Sequence, residues 1–206
     1  MEVKLPELRL KMGEGGSVAD LPSAFGGDFK EFWLEIGFGA GEQIAHLAAD
    51  NPSVGLLGCE PFVNGVASLL DRMVRDNIEN IRIFDDDARL LLPQIPEKSF
   101  SRIFLLFPDP WPKKRHRKRR FVSPEALDQM ARLLADGGEF RFASDIADYV
   151  RWTLEMVTRH PAFEWPAGSP RDWRERPAEF VETRYETKAL TAGRRCSYLS
   201  FRRKSR

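Results

Sequence analysis

The chain has 206 residues, 42% hydrophobic and 31% charged, with 15 Gly and 14 Pro, a make-up that fits one globular domain and excludes a fibrous or wholly disordered chain. No stretch approaches the roughly 20 consecutive apolar residues that a membrane span requires, and the first residues lack the apolar run and small-residue site of a secretory leader. The net charge of +1 hides an asymmetry: residues 113 to 120 read KKRHRKRR, and without their seven Lys and Arg the balance falls to −6.

Residues 1–30 hold several glycines and little periodicity, which predicts a loosely ordered lead-in to a single domain over 31–206. Strands and helices then alternate. FWLEI (32–36) reads as a strand, 42–50 as a helix, 54–60 as a strand and 63–76 as a helix. Strands follow at 81–87 and 102–107, the second apolar enough to be covered on both faces. A helix is expected over 122–138, with Ser123 as N-cap, Pro124 at its first position and Gly137 near its C-terminal end. A strand (139–145), a helix (148–160), a loop rich in Pro, Trp and Arg (161–188) and a closing strand (196–203), antiparallel at or near the sheet edge, complete the chain. This alternation predicts an α/β fold: a mostly parallel sheet with helices on both faces. Cys59 and Cys196 lie far apart and form neither a zinc pattern nor a disulfide framework, so a reduced, intracellular, cytoplasmic protein is expected. His46, His116 and His160 are scattered and make no metal cluster, and Trp152, Trp165 and Trp173 read as packing.

Strand one runs into Gly37-Phe38-Gly39-Ala40-Gly41 and then a helix. Ligands of a parallel sheet bind beyond the carboxyl ends of its strands, where these glycines let a ligand lie against the main chain. The spacing is G-x-G-x-G, and Glu42 occupies the third-glycine position of the dinucleotide fingerprint, where it would repel a pyrophosphate. No Gly-Lys-Ser/Thr follows, so a P-loop is excluded as well. Glu60 ends strand two, where a carboxylate can accept hydrogen bonds from a ribose diol. Glu35, just before the glycines, can meet a cationic amino group, and Asp87 an adenine amino group, with Asp85 and Asp86 competing for that role. An adenosine with an ammonium and no phosphate is S-adenosylmethionine. A nicotinamide dehydrogenase, the rival reading, is opposed by the spacing and by Glu42.

After strand four come Phe107-Pro108-Asp109-Pro110-Trp111 and the basic run. Two prolines fix the backbone around Asp109, and a rigid carboxylate beside a Trp suits a flat base. A base that offers N–H donors side by side, as guanine does at N1 and N2, could be held by such an acid, which casts Asp109 as an orienting and charge-stabilising group. Methylation of an adenine amino group is the rival chemistry, because related acid-proline loops serve it. The Lys and Arg of the run neutralise phosphates, which assigns Lys114, Arg115, Arg117, Lys118, Arg119 and Arg120 to RNA, with Lys113 nearest the target nucleotide. A further basic cluster, Arg202, Arg203, Lys204 and Arg206, closes the chain.

In order along the chain, LEIGFGAGE, GCEP, FPDPWPKKRHRKRR, ASD and TRYE resemble the tRNA (guanine-N7)-methyltransferase family of the bacterial single-chain type. The resemblance implies a Rossmann-like class I methyltransferase fold, with a seven-strand sheet and an antiparallel last strand. It implies S-adenosylmethionine as methyl donor and a variable-loop guanine of tRNA as target. It points to Glu35, Gly37, Gly39, Gly41, Glu60, Asp87 and Asp109 for the cofactor, with Asp109 also catalytic. Lys113, Asp145, Thr183, Arg184, Tyr185 and Glu186 fall to the substrate. Pro112 stands where many members have His. No metal and no membrane contact are expected; the oligomeric state is open, with a monomer preferred. A non-catalytic RNA-binding module on the same fold is the remaining alternative.

Overall fold

The computed structural model describes residues 5–10, 18 and 20–206. The expected loose lead-in differs in its described part. A short turn α1 (Leu5–Leu8) leads to Arg9, which bridges Ile83, and the Leu10 amide donates to the Ile83 carbonyl at 2.8 Å. Helix α2 (Leu21–Phe25) is capped by Asp20, whose carboxylate accepts the Ser23 amide at 2.7 Å. Leu10, Val18, Leu21 and Phe25 are all buried. Apolar burial anchors this part of the lead-in; the rest lies outside the described residues.

The central run follows the expected alternation: β1 (Glu31–Ile36), α3 (Glu42–Asp50), β2 (Val54–Cys59), α4 (Val63–Arg75), β3 (Ile81–Phe84), the turn α5 (Ala88–Leu91) and β4 (Phe100–Leu106). A 3₁₀ segment, Lys114–Arg119, precedes α6 (Pro124–Leu133), β5 (Leu134–Ser144) and α7 (Ala147–Arg159). The tail holds β6 (Phe163–Glu164), the turn α8 (Arg171–Arg174), α9 (Arg184–Thr191) and β7 (Ser197–Arg203). The loop expected over 161–188 therefore contains the start of a helix.

The seven strands lie in the order β3-β2-β1-β4-β5-β7-β6, with β7 antiparallel to β5 and to β6. The closing strand is thus next to the edge, and two-residue β6 is the edge itself. Chain order reverses between β1 and β4, which opens a crevice beyond their carboxyl ends. Strand β2 is buried along its whole length and β1 beyond its first residue, because helices cover both faces. One core joins residues of α2, α5, α6 and α7, and the other joins residues of α3, α4 and α9.

Ser123 caps α6 as expected, accepting the Ala126 amide at 3.2 Å, but the helix stops at Leu133. Leu134 already pairs with Phe100, whereas Arg102 pairs with Glu139. The surplus residues of β5 form a bulge in which Gly137 has φ 80°, so that glycine turns a strand rather than ending a helix.

Candidate active site

The loop after β1 is shaped by Gly37, Gly39 and Gly41, with φ of 72°, 57° and 77°. Side chains rarely adopt this left-handed region. Helix α4 presses on the loop through Gly65, where a Cβ would stand 2.3 Å from the Gly39 carbonyl oxygen. Sequence reading missed that role, although a glycine inside a helical pattern is the signal for a close approach. Glu60 is buried and ties the loop down. Its Oε2 accepts the Gly39 amide at 2.8 Å and its Oε1 the Phe62 amide at 3.0 Å. Each carboxylate oxygen keeps a second lone pair, so Glu60 can still accept ribose hydroxyls.

A cleft of about 720 Å³ lies over the crevice, bordered by Gly37, Gly39, Glu60, Asp87, Asp109 and Tyr185 among others. Of three consecutive acids, Asp87 alone borders it. Asp87 accepts the Arg89 amide and guanidinium, both at 2.9 Å, while Asp85 is paired with Arg9 at 2.5 Å. Arg89, overlooked in the sequence, also lines the cleft. Cys59 borders it too, but burial pushes its thiol well above the ordinary range, which makes it no nucleophile.

Glu35 is buried and does not border the cleft; its Oε2 has no hydrogen-bond partner among the described residues. Burial, reinforced by Glu42 and Glu60, raises its pKa to about 8. Gly41 likewise stands behind the wall, as the residue before α3.

After β4 the chain makes two left-handed steps at non-glycine residues, Phe107 (φ 50°) and Trp111 (φ 42°). Such positions cost on the order of 1–3 kcal/mol each and persist where surrounding structure enforces them. The Phe107 amide is held by the Ala143 carbonyl at 2.8 Å, and Arg120 donates to the Pro110 carbonyl at 3.0 Å. Between them Asp109 stands exposed at the cleft, with Trp111 beside it and the Arg119 guanidinium 4.8 Å over the Trp111 ring.

The basic run divides. Lys118 and Arg119 border the cleft, and Lys113, Lys114 and Arg115 are exposed outside it. Arg117 pairs with Asp148 at 2.8 Å. Arg120 corrects the expectation of a seven-residue RNA surface. Its side chain is 0% exposed, bound to Asp148 at 2.5 Å and stacked on Tyr149 and Trp152 at 4.8 and 5.4 Å. The hydrogen bond from Arg120 in turn holds the Asp148 carboxyl below its ordinary value. The C-terminal cluster is also partly spent: Arg203 donates to the Ala131 carbonyl at 3.0 Å, and Arg206 pairs with Asp136 at 2.9 Å.

The TRYE segment opens α9 and splits in two. Arg184 and Tyr185 border the cleft. Thr183 and Glu186 are buried away from it: the Thr183 hydroxyl accepts the Glu186 amide at 3.3 Å, and Glu186 accepts from Tyr198 and from Arg176 at 3.2 Å. Asp145, expected to end the strand, stands one residue past β5 and is bound to Arg194 at 2.5 Å, outside the cleft. Among the described residues no cluster of His, Cys, Asp or Glu could hold a metal, and no helix is long and apolar enough to cross a membrane.

The sequence profile of a family described as "Putative methyltransferase" matches residues 30–199. The tRNA (guanine-N(7)-)-methyltransferase of Rhodospirillum rubrum is 52% identical over 209 residues, covering 100% of this chain and 82% of that one. Its counterpart from Agrobacterium fabrum is 48% identical, covering 99% and 88%. Among solved structures, the aminoglycoside resistance methyltransferase NpmB1 superposes with a TM-score of 0.62 at 14% identity, covering 93% of this chain and 98% of that one, a likeness of fold alone. The glycine loop, the acids at the strand ends and the proline-framed Asp109 therefore stand in a chain that belongs to the tRNA (guanine-N(7)-)-methyltransferase family.

Proposed function

We propose that the protein transfers a methyl group from S-adenosylmethionine to N7 of a guanine in the variable loop of tRNA. The observation that carries this reading is the loop after β4. It holds Asp109 rigidly at the rim of the glycine-lined cleft and leads directly into a basic segment whose Lys118 and Arg119 border the same cleft. Base recognition, cofactor cradle and phosphate contacts thus share one crevice. The relatives named above are tRNA (guanine-N(7)-)-methyltransferases by name, and tRNA as substrate implies a cytoplasmic location.

The residues fit this cofactor. A Cβ at Gly65 would fill the approach of α4 to the loop, and Glu60 and Asp87 offer acceptors to ribose and adenine. The chemistry supplied by the bound donor is an electrophilic methyl group on a sulfonium. Guanine N7 needs no deprotonation to attack it. Asp109 accepts the N1–H and N2–H₂ donors, fixing N7 in line, and its charge offsets the positive charge the base acquires. Trp111 supplies a flat apolar wall. Lys113 and the basic segment dock the RNA backbone.

Asp109→Asn keeps shape and removes charge. Single-turnover methylation of tRNA, read as 7-methylguanosine by nucleoside mass analysis, should fall by about 100-fold or more, while calorimetric affinity for S-adenosylmethionine changes far less. Near-normal turnover would reduce Asp109 to a turn residue, and absence of 7-methylguanosine from wild-type reactions would overturn the reading.

A further inference from the structure

A second cavity, of about 750 Å³, has α9 as a wall in common with the cofactor cleft. Arg184 and Tyr185 face the cleft, whereas Glu186 and Leu190, one turn apart, face the second cavity. Its floor is apolar, formed in part by Val150 and Leu154 of α7. Its rim carries five arginines, two of them committed. Arg176 pairs with Glu182 and Glu186, and Arg194 with Asp145. Arg151, Arg174 and Arg195 are exposed and make no ion pair within 4.0 Å among the described residues, with Arg174 lying 4.7 Å over the ring of Trp173, which also lines the cavity.

The rim lies near the basic segment. Arg117 is bound to Asp148 in the first turn of α7, and Arg151 stands three residues further along that helix, on the neighbouring turn. Basic residues thus stand on either side of the Arg117–Asp148 pair, in Lys114–Arg119 and at the rim of the cavity. We propose that this cavity binds the phosphodiester backbone of the tRNA substrate outside the methylated nucleotide, its free arginines taking phosphates and its apolar floor an unstacked base or ribose. The inference rests on the function proposed above. Charge and proximity favour RNA over an acidic peptide, because basic residues line both the cavity and the neighbouring methyl-transfer cleft.

The test replaces Arg151, Arg174 and Arg195 together by Ala and measures tRNA affinity between 50 and 200 mM salt. Three single-strand phosphate contacts at about −0.7 each flatten the log–log slope by about two, so wild type should lose about 20-fold more affinity than the variant over this fourfold rise. Cofactor calorimetry on the variant checks that the neighbouring cleft is folded. Leu190→Glu, at a position 48% exposed, adds a negative charge to the cavity without removing an arginine, and should weaken tRNA binding several-fold at 50 mM salt. Parallel salt slopes for wild type and the triple variant, or an unchanged affinity for Leu190→Glu, would overturn the site. In that event 7-methylguanosine formation by wild type still stands by itself, and its absence would instead strike the function beneath both proposals.

Discussion

Glu35 shows how a single enclosed carboxyl can couple folding to a proton. Its folded-state pKa of about 8 lies above the ordinary 4.5 because burial disfavours the charge and Glu42 and Glu60 add to the penalty. Between those two values the native state holds a proton that the unfolded chain has released, so this group's contribution to stability is lost as pH rises through the window. Glu35→Gln should therefore gain stability on wild type from pH 5 to pH 9 in chemical denaturation, whereas a pH-independent difference would show that the group does not titrate there. The position of Glu35 one residue before β1 ends was plain in the sequence, and so was Glu60 just past β2, whereas β3 stops at Phe84 rather than at 87 and leaves Asp87 to cap α5. The inward turn of Arg120 was not, since a run of like charges carries no periodicity to say which member folds under.

At the scale of elements, the Asp109 loop and α7 act as one unit through Arg120. The guanidinium joins the Pro110 carbonyl to Asp148, with Tyr149 and Trp152 against its faces. Asp148→Ala would leave that buried cation without its carboxylate, a cost on the order of 2–3 kcal/mol, at or below the low end for such pairs because Asp148 is 41% exposed. The same variant frees Arg117 and loosens the left-handed loop. The expected result is a lower single-turnover rate at saturating tRNA with cofactor affinity nearly kept; a drop in melting temperature alone would make the contact purely structural. Element boundaries were legible where apolar spacing was regular, as in α4 and α7. They failed where tertiary pairing decided. Leu134 reads as helix from its neighbours, yet Phe100 claims it for the sheet. Helix α9 begins inside a stretch whose Pro, Trp and Arg read as loop, although Thr183 and Glu186 spell a T-x-x-E capping pattern, which the hydroxyl-to-amide bond at 3.3 Å fulfils in part.

Across the whole molecule, the order of strands was reachable from the alternation of elements together with the resemblance, and the crevice followed from it. The lead-in was not, because its anchoring residues are few and scattered: Leu10 and Val18 show no period, and their burial becomes visible only against β3 and its surroundings. A sheet open at both sides exposes rows of unpaired amides and carbonyls to any passing strand. Here one border ends in the two-residue β6, too short to template another chain, and the other is shielded where the Leu10 amide meets Ile83. The lead-in thus serves as a guard against self-association as well as a contributor to the core. Deleting residues 1–10 should make the protein cloud in light scattering at temperatures below its own unfolding midpoint, and a truncated chain that stays clear would show that β3 needs no guard. Should it cloud, protection of this sheet border would rest on about two residues of backbone, far from any atom that reacts.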